Sequence, residues 1–172
     1  DKILKLNPAT GALITSTNFP SSSNDVGFTD APSNDIAGVT FLDGFLWMTS
    51  NEQSQFGDNR KLYKVKATDG SVADTFNVSQ NIFDNATGIT NDGTNLLVFT
   101  SNTDQLFTFN QNGNFVSPQQ FAANLNGASG AAFRSGASEL LTISGSQVLQ
   151  FGVGQNGFDW VAQSNAPARA GG

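Results

Sequence analysis

Apolar residues recur along the chain in short alternating runs, each closed by a turn that contains glycine. The stretch "GITNDGTNLLVFTSNTDQLFTFNQNGNFV", Gly88 to Val116, shows the unit in two halves. The first half runs from Gly88 through the turn "NDG" into the strongly apolar "LLVFTS". The second half alternates in "QLFTFN", turns at Gly113, and resumes as a further strand. Alternation with a period of two, bounded by Asn, Asp and Gly, predicts β-strands joined by hairpins, because successive strand side chains point to opposite faces.

Both halves recur. The second occurs four times, as "KILKLNPATGALI" from Lys2, "KLYKVKATDGSVA" from Lys61, "QLFTFNQNGNFVS" from Gln105 and "QVLQFGVGQNGFDWV" from Gln147. The turn glycines Gly11, Gly70, Gly113 and Gly157 are 59, 43 and 44 residues apart. Glycine supplies the positive φ that a tight hairpin needs. The first half occurs three times, from Ile36, Ala86 and Ala128, with Gly38, Gly88 and Gly130 spaced 50 and 42 residues apart. A repeat of about 40–45 residues with four strands per unit predicts propeller blades. One four-stranded sheet cannot cover its own two faces, so neighbouring units must stack on it.

The strands of a unit are ordered from the axis outward. The innermost carries small residues ("GVT", "GIT", "GAA"), because inner strands converge where space is short. The second ("FLWMTS", "LLVFTS", "ELLTIS") is apolar throughout, which predicts burial on both faces. The third alternates, and the fourth is polar enough for the rim. Phe41, Phe45, Phe99, Phe107, Phe109, Phe133 and Phe151 fall on the three inner strands and are expected between blades, not as an exposed stacking platform.

On these residues the chain resembles the broad NHL, SMP-30 and quinoprotein-like β-propeller group. Its repeats read roughly G-[IV]-x-x-D-G-x-x-L-[WYF]-V, then a gap, then a strand ending in D/N-x-x-G. The resemblance covers residues 1 to about 163. It implies an all-β fold of four-stranded antiparallel blades and leaves function open, because such propellers include enzymes, adhesins and scaffolds. Residues 1–163 read as a propeller segment, with a partial blade at 1–20 and full units at 34–79, 80–121 and 122–164. Residues 165–172 read as a flexible tail. Propellers close with roughly four to eight blades. About three and a half blades therefore fit a segment of a longer propeller, a ring built from several copies, or an open curved stack; an unrelated sandwich or barrel is the remaining alternative. The chain opens at Asp1 in mid-strand with no initiating Met, as a processed or truncated piece would.

Charge narrows the partners. Only 13% of residues are charged, the net charge is −6 and the pI is about 4.3. Nucleic-acid binding needs clustered Lys and Arg; the one local group here is Arg60, Lys61, Lys64 and Lys66, and alternating Lys64 and Lys66 read as a solvated strand face. No apolar run is long enough to cross a membrane. The chain has no Cys and no His. That removes disulfides, thiol nucleophiles, a Ser–His–Asp triad and the usual zinc ligands. Low charge, no Cys and abundant Asn, Ser and Thr lean toward an extracellular or cell-surface microbial protein.

Two connections are long, 21–35 and 51–60, and in a propeller they emerge on the same face. Extra loop length on one face is where function gathers. These loops hold Asp25, Asp30, Asp35, Glu52 and Asp58, carboxylates of the kind that bind Ca²⁺, although without EF-hand spacing. The bland alternative is turn caps and solvated acids. Phe28, Phe56 and Arg60 in the same loops are the candidate partner contacts. Asp43 and Asp92 lie in hairpin turns and are expected to serve turn chemistry. A lactonase of the resembled group would need metal ligands where the inner strands start; Ile36, Ala86 and Ala128 stand there instead. The expectation is a non-enzymatic extracellular interaction or structural module. It would bind a protein or glycan through the long loops, or self-associate through its blade ends. The alternative is a fragment of a metal-assisted, lactonase-like hydrolase.

Overall fold

The computed structural model describes residues 5–15, 36–50, 53–54, 57–58, 61–78, 86–100, 105–120, 128–134, 136, 138–154 and 157–165. These contain sixteen strands and no α-helix. Strands β1 (Lys5–Leu6) and β2 (Leu13–Thr15) form a two-stranded hairpin. Three four-stranded antiparallel sheets follow. The first holds β3 (Ile36–Leu42), β4 (Phe45–Ser50), β7 (Lys61–Lys66) and β8 (Val72–Asn77). The second holds β9 (Ala86–Asn91), β10 (Leu96–Thr100), β11 (Gln105–Phe109) and β12 (Phe115–Gln120). The third holds β13 (Ala128–Arg134), β14 (Glu139–Ser144), β15 (Gln147–Gly154) and β16 (Gly157–Asn165). Each sheet is an up-and-down meander. The segment 51–60, expected as a plain loop, contains a miniature hairpin of β5 (Gln53–Ser54) and β6 (Gly57–Asp58).

The turns follow from their residues. Leu42 pairs with Phe45, so Asp43 and Gly44 form a two-residue loop, and both have positive φ. That is the primed turn whose twist matches the flanking strands. At the outer hairpins Gly11, Gly70 and Gly113 have φ of 69°, 75° and 73°. Asn110 closes its turn by accepting from the backbone N–H groups of Asn112 and Asn114; Asn7 does the same for Ala9 and Thr10.

The Asp69 turn carries a titratable group. Its carboxylate accepts from the Ser71 backbone N–H at 2.9 Å and the Ser71 hydroxyl at 2.7 Å. These bonds, the backbone one foremost, hold Asp69 below its ordinary value of 3.8. A depressed folded value means that the turn's stabilisation is present above about pH 4 and is lost as pH falls through the lowered value. A carboxyl-detected NMR titration should give a midpoint below 3.8 for Asp69, moving upward in Ser71→Ala; an unmoved midpoint would remove the hydroxyl from the account.

Sheets stack face to face, and the core lies between them. Leu42, Trp47, Leu62 and Val78 of the first sheet bury against Ala86, Ile89, Leu96, Val98, Phe107 and Phe109 of the second. Leu97, Phe99 and Leu106, on the second sheet's other face, bury against Leu140, Leu149 and Phe151 of the third. Strand β10 is buried along its whole length, as its unbroken apolar run predicts. Outer strand β8 is mostly exposed or half-buried.

Inner strands β3, β9 and β13 approach closest, and glycine is the reason they can. A Cβ on Gly38 would lie 2.9 Å from the Ile89 backbone nitrogen and 3.1 Å from the Gly88 Cα. A Cβ on Gly88 would lie 3.1 Å from the Gly130 Cα and carbonyl carbon. The small residues of the inner strand are therefore backbone-to-backbone contacts between successive sheets. The register shifts beside each of these glycines, between Ile36 and Gly38, opposite Phe99 and Thr100, and between Ser129 and Ala131. A bulge bends the inner strand of each four-stranded sheet, skipping Ala37, Thr87 and Gly130, so in the third sheet it falls one residue later in the repeat.

Of the seven phenylalanines expected in the core, Phe99, Phe107, Phe109 and Phe151 are buried. Phe45 and Phe133 are half-buried against the clusters. Phe41 departs from the expectation at 58% exposure. It lies on the face of the first full sheet turned away from the second, where no described sheet covers the inner strand.

Candidate functional site

Of the residues singled out for metal or partner binding, Asp25, Phe28, Asp30, Asp35, Glu52, Phe56 and Arg60 lie outside the described residues. Asp58 is placed by its backbone at the end of β6, paired with Gln53. Among the described residues no group of three or more acidic side chains gathers around a common point. The inner strands begin at Ile36, Ala86 and Ala128.

What the structure does assemble is a set of polar and aromatic links between sheets. Asn91 Nδ2 donates to Thr40 Oγ1 at 2.7 Å and to the Phe41 carbonyl at 2.9 Å. One sheet further on, the Phe133 N–H donates to Thr90 Oγ1 at 3.1 Å. Thr40 and Thr90 hold the same place in successive units, and so do Asn91 and Phe133. One position on the forward face of each inner strand thus meets one position on the rear face of the next.

A second link ties the β3–β4 turn of the first sheet to the β11–β12 turn of the second. Gln111 Nε2 donates to the Asp43 carboxylate at 2.7 Å and to the Thr94 carbonyl at 3.3 Å. Asp92 serves its own turn, accepting from the N–H groups of Thr94 and Asn95. Asp43 does more than turn chemistry, because its carboxylate crosses to the next sheet. Lys64 corrects the reading of a solvated face. Its Nζ sits 4.4 Å from the Phe45 ring centroid and 5.0 Å from that of Trp47, and donates to the Gln111 carbonyl at 3.4 Å. The apolar stem packs between sheets and the ammonium lies over aromatic faces. Lys66 is exposed. Only the following sheet brings Gln111 to Lys64, so the alternating strand pattern carried no sign of it.

Phe76 completes this corner. It stacks on Trp47 at 5.9 Å and lies against Gly113, where a Cβ would come within 2.2 Å of its ring. Gly113→Ala is expected to cost about 1–3 kcal/mol by overpacking, with a further ~1 kcal/mol for the left-handed backbone. In a Phe76→Ala background the steric part should vanish and the backbone part stay. A double-mutant cycle by urea unfolding checks this; additive costs would refute the contact.

The two outward faces of the stack are apolar. On the third sheet, Gly130, Ala131, Ala132, Leu141, Thr142, Ile143 and Val148 line a hollow of about 340 Å³. Ile143 is 45% exposed. At the other end Val39 and Phe41 of β3 are exposed, while Met48, Tyr63 and Val65 on the same face are buried. A signal was present in the sequence: Ile143 and Leu141 alternate in the same strand that buries Leu97 and Phe99 one unit earlier.

No family model and no curated protein matches the chain. Solved structures do. The chain is similar to the glutaminyl cyclase of Myxococcus xanthus at 17% identity and a TM-score of 0.58, over 76% of this chain and 50% of that one. It is similar to a streptogramin B lyase at 13% identity and a TM-score of 0.53, over 80% of this chain and 43% of the other. The Dos1 propeller gives 13% identity and a TM-score of 0.52, over 96% and 40%. The chain spans half or less of the length of each. With its meandering four-stranded sheets packed face to face around converging inner strands, this chain is a partial β-propeller. Enzymes and non-enzymes share that fold, so the likeness carries architecture and no activity.

Proposed function

We propose that this chain is a non-enzymatic interaction or structural module that works outside the cell or at its surface. It assembles through its open blade faces and receives a protein or glycan partner on the loops 21–35 and 51–60. The observation that carries this reading is the uncovered apolar face of the last sheet, a hollow of about 340 Å³ with almost no polar lining. The absence of His and Cys from the sequence supports it, because the common nucleophile–base pairs cannot be built. Among the described residues no helix is long and apolar enough to cross a membrane.

Two measurements test the reading. Exchanging residues 21–35 for a short turn should abolish binding to glycan or extracellular-protein arrays while leaving the unfolding midpoint in place. Lactone and ester substrates, offered with Ca²⁺, should not turn over. Turnover would favour the metal-assisted hydrolase instead.

A further inference from the structure

The tip of the β11–β12 hairpin is one place where the second sheet holds the first. Gln111 donates from Nε2 to the Asp43 carboxylate at 2.7 Å, and its carbonyl accepts from Lys64 Nζ at 3.4 Å. Gly113 lies against the Phe76 ring, so close that an added Cβ would come within 2.2 Å of it. Asn112 stands between these two anchors in the chain and is exposed. Among the described residues nothing hydrogen-bonds its carboxamide. The side chains of Asn91 and Asn110, by contrast, are held in bonds to Thr40 and Phe41 and to the turn N–H groups.

The residue that follows Asn112 matters as much as its exposure. An asparagine Cγ can close a five-membered ring with the next backbone nitrogen, and a Cβ on that next residue crowds the closure. Glycine has none. Asn110 is followed by Gln111, Asn114 by Phe115 and Asn91 by Asp92, whereas Asn112 is followed by Gly113.

We propose that Asn112 is a site of spontaneous deamidation, gated by its own turn, and that the isoaspartate product loosens the joint between the first two full blades. The Gly113 backbone nitrogen gives its proton to solvent base and attacks Asn112 Cγ. A C–N bond forms, the Cγ–Nδ2 bond breaks, and Nδ2 leaves as ammonia with a proton from water. Water then opens the succinimide. Breaking the Cγ–N bond gives aspartate; breaking the bond between the Asn112 main-chain carbonyl and that nitrogen gives isoaspartate. Isoaspartate routes the backbone through one extra carbon, a lengthening of about 1.5 Å. The insertion falls between the residue that holds Asp43 and the residue that abuts Phe76. Asn110 is the gate. The Gly113 N–H donates to its carbonyl at 3.0 Å, and its Oδ1 accepts from the Asn112 and Asn114 N–H groups. The attacking nitrogen is therefore engaged until the turn opens.

The full chain is incubated at mildly alkaline pH, folded and in urea, and its peptides are mapped by mass spectrometry with isoaspartyl methyltransferase labelling. The map resolves Asn112 from two other Asn–Gly pairs, Asn126–Gly127 and Asn156–Gly157. Asn112 should convert in the folded chain, more slowly than in urea. Asn110→Ala should convert it about three- to tenfold faster than the native chain, the factor for one net hydrogen bond lost from the closed turn. In an Asn126→Gln, Asn156→Gln background, the isoaspartate fraction should unfold about 2–10 °C below the unmodified protein. Asn112→Asp, which adds the charge without the extra carbon, should unfold near the native midpoint. An Asn112 that stays intact in the folded chain while urea exposes it to conversion would overturn the site. A rate that Asn110→Ala leaves unchanged would overturn the gate. An isoaspartate fraction that unfolds at the native midpoint would overturn the effect on the joint.

Discussion

Trp47→Ala is expected to lower the unfolding free energy by about 3–5 kcal/mol, the range for emptying a large aromatic site in a core. Trp47 is fully buried at the joint between the first two full blades, stacked on Phe76. It also carries the Lys64 ammonium over its ring, so its removal strips that cation of one of its two aromatic partners. The indole N–H makes no hydrogen bond there, so no polar compensation is lost with the ring. Trp47→Phe keeps most of the apolar volume and should cost less. Urea unfolding measures both. A loss below about 1 kcal/mol for the alanine variant would show that the joint collapses onto the gap, which the fixed backbone contact beside it argues against.

Gly88→Val is expected to be comparably severe for the opposite reason. An added Cβ at Gly88 meets Gly130 backbone atoms at 3.1–3.2 Å, and backbone cannot swing aside as a side-chain tip can. Gly88→Ala should cost about 1–3 kcal/mol by overpacking. Valine adds two methyls at the same place and should prise the second and third blades apart, so the loss should exceed that of alanine. Gly136→Ala is the control: it has open space and no left-handed backbone, and should stay within about 0.5 kcal/mol of the native protein. Equal losses at Gly88 and Gly136 would dismiss the inner-strand contact. Together the two variants separate a joint held by filled volume from one held by backbone proximity.

Much of this was legible in one dimension. The hairpin glycines, the apolar second strands and the recurring small residue before Gly38, Gly88 and Gly130 each have a local cause, so they can be read without neighbours. The "LDG" at Leu42 to Gly44 announced its own turn, and the structure gives Asp43 and Gly44 the positive φ values that turn requires. The places that sequence reasoning missed are those where a second sheet intervenes. Lys64 looked solvated because alternation marks a face as distinct without saying what lies on it. Gln111, distant in sequence, comes from the next blade to meet both Lys64 and Asp43. Phe41 looked like core because phenylalanine on an inner strand usually is, and only the stacking order reveals that no described sheet packs over it.

The sequence by itself determined the four-stranded unit. Its period of two, its turn residues and its run of buried second strands depend on interactions within some forty residues, where local geometry decides. The tertiary structure alone decided which face of each sheet is shared, which inner-strand glycines touch, and which apolar faces stay open. Those are properties of pairs of units, and a strand's alternation gives two equivalent faces until a neighbour occupies one of them.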